Sequence, residues 1–360
     1  MPIKQSQDEI RDGTRNLLDK IGTAGDGFSV MFGAGASKCI DLPTMGELAD
    51  MLEKKLPTCQ DQNITKLLEE VLAVLKSESP DGTTIEQVLE MLYHIQFLVE
   101  ERETKISISL GDIGNIDTTI LTGGINFIKD IIWEACYKID VGKLQNHKEF
   151  LECFMGESGR LRKLDVFTTN WDFAIEMTCD GLKFKCVDGF VGVFDGFEKF
   201  AVFAESPSEQ LRTVYLHKLH GSLNWILNQE KTELRKKMNW SEIDSSDHKL
   251  FMIYPIPSKA KEILGYPYAE LISRFSDAIL KRKNPLLLVI GYSFTDSHIS
   301  TKIASMLDNN ERSNLFIVDP KMELGKVSEK LGFDTEKDER VILLQTGFVE
   351  FNKILKELQE

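Results

Sequence analysis

The sequence predicts a doubly wound α/β protein, a mainly parallel sheet with a helical insertion between its first and second core strands. Three observations lead there. Short runs rich in Val, Ile, Leu and Phe alternate with helical patterns, which implies parallel strands covered on both faces. A long helix-rich stretch, residues 44–160, separates the first such run from the second. Polar residues collect where the apolar runs end, and open α/β sheets bind ligands at the carboxyl ends of their strands.

The elements follow in order. Residues 8–22 carry an amphipathic helical pattern, and Phe28-Ser29-Val30-Met31-Phe32 is a short apolar strand ended by Gly33. From 64 to 75, apolar residues at 64, 67, 68, 71, 72, 74 and 75 keep close to the 3.6-residue period of a helix. Residues 79–82, SPDG, break that helix, and Thr84 with Gln87 opens the next one as a capping box. Residues 111–117 read as a loop, and 119–139 and 147–156 as further helices. Strand-like runs return at 164–172, 213–221, 249–256, 285–294, 314–320 and 341–347, with helical patterns at 268–283 and 296–309 among them. The expected division is residues 1–43 and 161–360 for the α/β core and 44–160 for the insertion.

The chain has 360 residues, of which 42% are hydrophobic, enough for a substantial core and against global disorder. Its net charge of -14 argues against a general nucleic-acid-binding surface, which needs a basic face. The six cysteines, at 39, 59, 136, 153, 179 and 186, form no C-x-x-C pair, so neither a structural zinc site nor a thioredoxin-type motif is expected. The first residues lack the apolar stretch of a secretory signal, and no apolar run approaches the ~20 residues of a membrane helix. The expectation is a soluble, cytoplasmic protein with reduced thiols.

The strand ends carry the chemistry. In Gly33-Ala34-Gly35-Ala36-Ser37 the glycines permit close backbone approach to a phosphate, and a helix start there would aim free N–H groups at it. Lys38 stands where a third glycine would complete G-x-G-x-x-G, so a tight strand-to-helix corner explains the stretch equally well. Asn170 and Asp172 follow a strand in Thr168-Thr169-Asn170-Trp171-Asp172. Asn170 is suited to positioning a water or a ribose hydroxyl, and Asp172 to capping the next helix or to holding a ligand. His220 ends a strand beside Gly221, where a histidine can act as a general base. His217, three residues earlier on that strand, points to the opposite face.

Taken together, GAGAS, TTNWD, HG, GYSFTD and the late VDP resemble, in order and spacing, the NAD-binding core of sirtuins, over roughly residues 25–50 and 164–350. The helical insertion lies outside the resemblance. The chain is similar to the bacterial antiphage-defence branch, which lacks the deacylases' four zinc-binding cysteines; the deacylase continuation of the first motif is also absent, Asp41-Leu42-Pro43 and Met45-Gly46 standing in its place.

The resemblance implies a Rossmann-like core that cleaves NAD+ to nicotinamide and ADP-ribose with no metal. By it, Gly33, Ala34, Gly35 and Ser37 are the pyrophosphate loop. Asn170 holds the catalytic water, Asp172 the nicotinamide carboxamide, and His220 is the catalytic histidine. Gly291, Ser293 and Asp296 stand beside the adenosine, and Asp319 reaches the adenine ribose. It further implies defence by NAD depletion, gated through homo-oligomer assembly or a partner. The partner expected first is a HerA-like hexameric ATPase and then a short Argonaute; neither direct nucleic-acid nor membrane binding is expected. Competing expectations are an NAD-dependent deacylase or ADP-ribosyltransferase, a non-catalytic subunit sensing NAD+ or ADP-ribose, and a nuclease subunit.

Overall fold

A computed structural model describes residues 5–78, 82–100, 116–157, 159–192, 195–227, 234–237, 250–252 and 267–360. The expected breaker at 79–81, the loop at 111–115 and the end of the run at 253–256 lie outside the described residues. The first helix, α1 (Gln7–Ala24), leads into β1 (Phe28–Phe32). Helices α2 (Met45–Lys55), α3 (Gln62–Glu78), α4 (Ile85–Glu100), α5 (Thr118–Cys136) and α6 (Gln145–Met155) follow before β2 (Lys163–Thr168). Then come α7 (Ala174–Leu182), β3 (Lys185–Val187), β4 (Phe190–Val191), β5 (Asp195–Glu198), β6 (Thr213–Lys218), β7 (Gly221–Leu227), β8 (Leu234–Lys237) and β9 (Leu250–Met252). The last part alternates: α8 (Tyr268–Leu280), β10 (Leu286–Ile290), α9 (Ser297–Asn309), β11 (Asn314–Val318), α10 (Leu324–Leu331), β12 (Val341–Leu344) and α11 (Phe348–Glu357).

The main sheet has seven strands in the order β12-β11-β10-β1-β2-β6-β3. Every pairing in it is parallel, as the near-continuous apolar runs imply. Side chains alternate between two apolar layers, as the period of 2 requires. Phe28, Val30, Phe32, Leu288 and Phe316 pack with α1, α6 and α11, whereas Met31, Leu287, Val289 and Ile317 pack with α8, α9 and α10. The chain first builds outward from β1 through β2 to β6 and then returns to the other side of β1 at β10. That reversal makes β1/β10 the topological switch point, where loops diverge and leave a crevice.

Helices α2 to α5 bury their stripes on one another, with Leu68, Leu72, Leu89, Leu92, Ile128 and Ile132 inside. The same cluster includes Trp171, Phe173 and Leu223, so this helical group packs over the ends of β2 and β6. By packing, α6 sits with the sheet, through Phe150, Leu151 and Phe154.

A second sheet of five strands, β4-β5-β8-β7-β9, is antiparallel and was not anticipated. Its strands are two to seven residues long, too short for a periodic signal. The chain re-enters it where Gly221, at φ 77°, turns out of the segment after β6 into β7.

Candidate active site

Two glycine corners interlock at the switch point. The Gly33 N–H donates to Ile290 O and the Gly35 N–H to Gly291 O, both at 2.9 Å. A Cβ on Gly33 would lie 2.5 Å from Gly291 O, and one on Gly35 2.8 Å from Gly291 Cα. Gly291 has φ 62°, and its Cβ would meet Ala36 N at 2.4 Å. Closeness of the β1 and β10 loops therefore requires these glycines. After the corner the chain forms a tight 3-10 helix, Ala34–Ile40, rather than an α-helix.

A buried polar network holds that corner from behind. Asn170 Nδ2 donates to Gly33 O and to Ser37 Oγ, both at 3.0 Å. Ser37 Oγ donates to Asp172 Oδ2 at 2.8 Å, and Asp172 Oδ1 accepts from Ala174 N at 2.9 Å at the start of α7. Asp172 is thus a helix brace tied to the glycine loop, in line with the capping expectation. Asn170 Oδ1 is buried and has no hydrogen-bond partner among the described residues. Lys218, 1% exposed, supports the same segment: its ammonium donates to the carbonyls of Trp171 and Asp172 and to Glu176 Oε1, and lies 5.3 Å from the centre of the Phe173 ring. Paired and hydrogen-bonded on all sides, it meets the condition for a buried charge.

His220 lies in the turn that ends β6. Its Nε2 bonds Asp296 Oδ2 at 2.9 Å, and its Nδ1 is buried without a partner among the described residues. Asp296 also caps α9, its Oδ1 accepting from His298 N at 2.9 Å and Ile299 N at 3.2 Å. Burial pushes the Asp296 carboxyl up, but the His220 bond and the two cap N–H groups outweigh it and hold the pKa below its ordinary value. An ionised Asp296 places the ring proton on Nε2 and leaves Nδ1 as an acceptor. Asp296, which the resemblance set beside the adenosine, is thus the partner of the histidine.

A cavity of about 390 Å³ opens over these strand ends. Ala34 and Gly35, Thr169, His220, Gly291 and Ser293, and Asp319 line it from five successive strands. Asp296 lines it as well, while Gly33, Ser37, Asn170 and Asp172 are not among its lining residues. Asp319 Oδ1 closes its own turn on Lys321 N and Met322 N, at 2.8 and 2.9 Å. Three lysines that the sequence reading passed over, Lys321, Lys326 and Lys330, share this end of the cavity. Lys330 Nζ donates to Ser293 O at 2.8 Å. Glu86 reaches the same cavity from α4, a contribution of the insertion that no local signal announces. Asp296 could have been read from Thr295-Asp296-Ser297 as a helix cap, but its second partner is 76 residues away.

Residues 165–342, just under half of the chain, match the family model of the SIR2-like domain. Over that stretch, which runs from β2 into β12, the chain is sirtuin-like. No curated protein matches it. Among solved structures, one of Sir2 in complex with the inhibitor EX-527, 2'-O-acetyl-ADP-ribose and a deacetylated p53 peptide is similar at 10% identity, with a TM-score of 0.45, covering 96% of this chain and 98% of that one. Among the described residues no helix is long and apolar enough to cross a membrane.

Proposed function

We propose that the chain is an NAD+ hydrolase releasing nicotinamide and ADP-ribose. The observation that carries this reading is His220, held through Nε2 by Asp296, with an Nδ1 that has no partner among the described residues, lining a cavity floored by the interlocked glycine corners. The residues fit a dinucleotide. The glycine corners allow close backbone approach, and Lys321, Lys326 and Lys330 bring positive charge to one end of the cavity, where a diphosphate's charge is best met.

Within this reading the chain's residues divide the work. Nδ1 of His220 accepts the proton of the attacking water, and Asp296 keeps the imidazole in the tautomer that can do so. Asn170 fixes the glycine corner by its amide N–H groups, and so acts on the cavity through the loop that lines it. Nicotinamide is already a cationic leaving group, so positioning and a base suffice for hydrolysis. The biological role that suits this activity is antiphage defence by NAD depletion, with turnover gated by self-assembly or by a HerA-like ATPase.

The test is incubation of purified chain with NAD+, alone and with candidate partners, following nicotinamide by chromatography and the second product by mass. Free ADP-ribose is expected. Acyl-ADP-ribose or labelled protein would assign the site to acyl or ADP-ribosyl transfer instead, and ligand binding without turnover under every condition would make it a sensor.

A further inference from the structure

Among the described residues, Glu86 is the one acidic side chain that the helical insertion sends into the cavity. It stands in the first turn of α4, whose start is fixed by a reciprocal cap: Thr84 N donates to Gln87 Oε1 at 2.8 Å, and Gln87 N to Thr84 Oγ at 3.3 Å. The neighbours Ile85, Val88 and Leu89 are fully buried in the helical cluster, so α4 cannot roll to carry Glu86 elsewhere. Glu86 makes no hydrogen bond or ion pair among the described residues, although it is close enough for its charge to act on His220 and Asp296. Burial pushes its carboxyl up; the charge of His220 opposes this, and Asp296 and Glu90 add to it. An unpaired carboxylate with a raised pKa gains most when positive charge arrives beside it.

We propose that Glu86 is a catalytic carboxylate of this site, which faces the positive charge that develops on the ribose during glycosidic cleavage. The inference rests on the hydrolase reading. In that reaction the bond between the ribose anomeric carbon and the nicotinamide nitrogen breaks, and its electron pair leaves with the nitrogen. The carbon becomes cationic, the oxygen of water bonds to it, and the water's proton passes to Nδ1 of His220. His220 serves the nucleophile and carries no negative charge to offer the cation. Glu86 supplies that charge, as the carboxylates of glycosidases do at an oxocarbenium centre. The insertion then completes the active site, with Glu86 held in place by the buried face of α4.

The test compares wild type with Glu86→Gln and Glu86→Asp, using two probes that need no turnover: ADP-ribose, and an ADP-ribose analogue carrying a protonated pyrrolidine in place of the ribose ring next to the cavity's histidine. Wild type is expected to prefer the cationic analogue. Glu86→Gln should keep ADP-ribose affinity within about threefold and lose at least about tenfold for the analogue, with a fall of about 10²-fold in kcat on NAD+. Glu86→Asp should recover part of both. Equal affinity changes for the two probes, or none, would overturn the role of Glu86 and leave the hydrolase reading standing. A wild-type chain that binds neither probe would overturn both.

Discussion

Two histidine–aspartate pairs sit three residues apart on one segment and have opposite fates. His217 Nε2 meets Asp165 Oδ1 at 3.2 Å, and Asp165 is also held by Arg282 Nη2 at 2.5 Å. The His217 ring is stacked between Phe167 and Phe203, at centroid distances of 4.5 and 4.2 Å. His220 meets Asp296 at 2.9 Å, but there the aspartate's other partners are the backbone N–H groups of a helix end and, at 3.5 Å, the Tyr268 hydroxyl, none of them a cation, and the ring borders the cavity. The comparison teaches that a histidine paired to a carboxylate is common currency in a buried core. What separates a structural pair from a reactive one is the third partner and the open space. Neither Nδ1 has a partner among the described residues, so the free nitrogen alone does not separate the two. Arg282 neutralises Asp165 and aromatic rings seal its histidine, whereas Asp296 keeps its charge for His220, whose ring lines the cavity.

The sharpest way to break the comparison is to delete each ring. His220→Ala should lose about 10²–10⁴-fold in the NAD+ turnover of its folded fraction, whereas His217→Ala should keep the turnover of its folded fraction within about threefold. A comparable loss of turnover in both would erase the distinction. In a denaturant titration His217→Ala should cost about 3–5 kcal/mol, because it strips one partner from a buried charged cluster and empties a stacked slot.

A third buried histidine sharpens the point. His147 of α6 lies against Phe32 and Phe348 with no carboxylate bonded to it among the described residues, and burial pushes its pKa from 6.5 down to about 4. The unfolded chain takes up this proton first. The contribution to stability is therefore complete above about pH 6.5 and lost as the pH falls toward 4, about 3 kcal/mol in all. Chemical denaturation across that range should show the loss, and His147→Phe should flatten it; an unchanged slope would show that this ring is protonated in the fold. Next in size, Asp296→Asn should lower kcat about 10²-fold by releasing the imidazole's tautomer, where Asp165→Asn should not touch kcat. The smallest effect is expected at the cavity's lysine end. Lys326→Ala should raise KM for NAD+ severalfold with kcat unchanged, as the loss of one exposed charge facing a diphosphate would. A kcat effect there would move the phosphates elsewhere.

Much of the fold was legible because its signals are local. The parallel strands announce themselves by runs such as Leu286-Leu287-Leu288-Val289-Ile290, and the insertion by apolar stripes like that of α3. Strand ends bearing Gly33, His220, Gly291 and Asp319 could be listed because the fold class dictates where ligands sit. What escaped was of two kinds. The antiparallel sheet has strands too short for periodicity, one of them only Phe190–Val191. Glu86, Lys218 and the pairing of Asp296 with His220 depend on contacts across long stretches of chain, which leave no trace in spacing.

The sequence by itself determined the alternation of strands and helices, the break for the insertion and the set of polar strand ends, since each is written within a few turns of chain. Only the tertiary structure decided which of those polar groups face the cavity and which stand behind it. Asn170 and Asp172 turn to brace the glycine corner, His220 finds Asp296, and α4 delivers Glu86 from outside the sheet. The physical reason is that a side chain's role is set by what packs against it, and here those partners come from elements distant in sequence, brought together when the two apolar layers of the sheet and the helical group are buried.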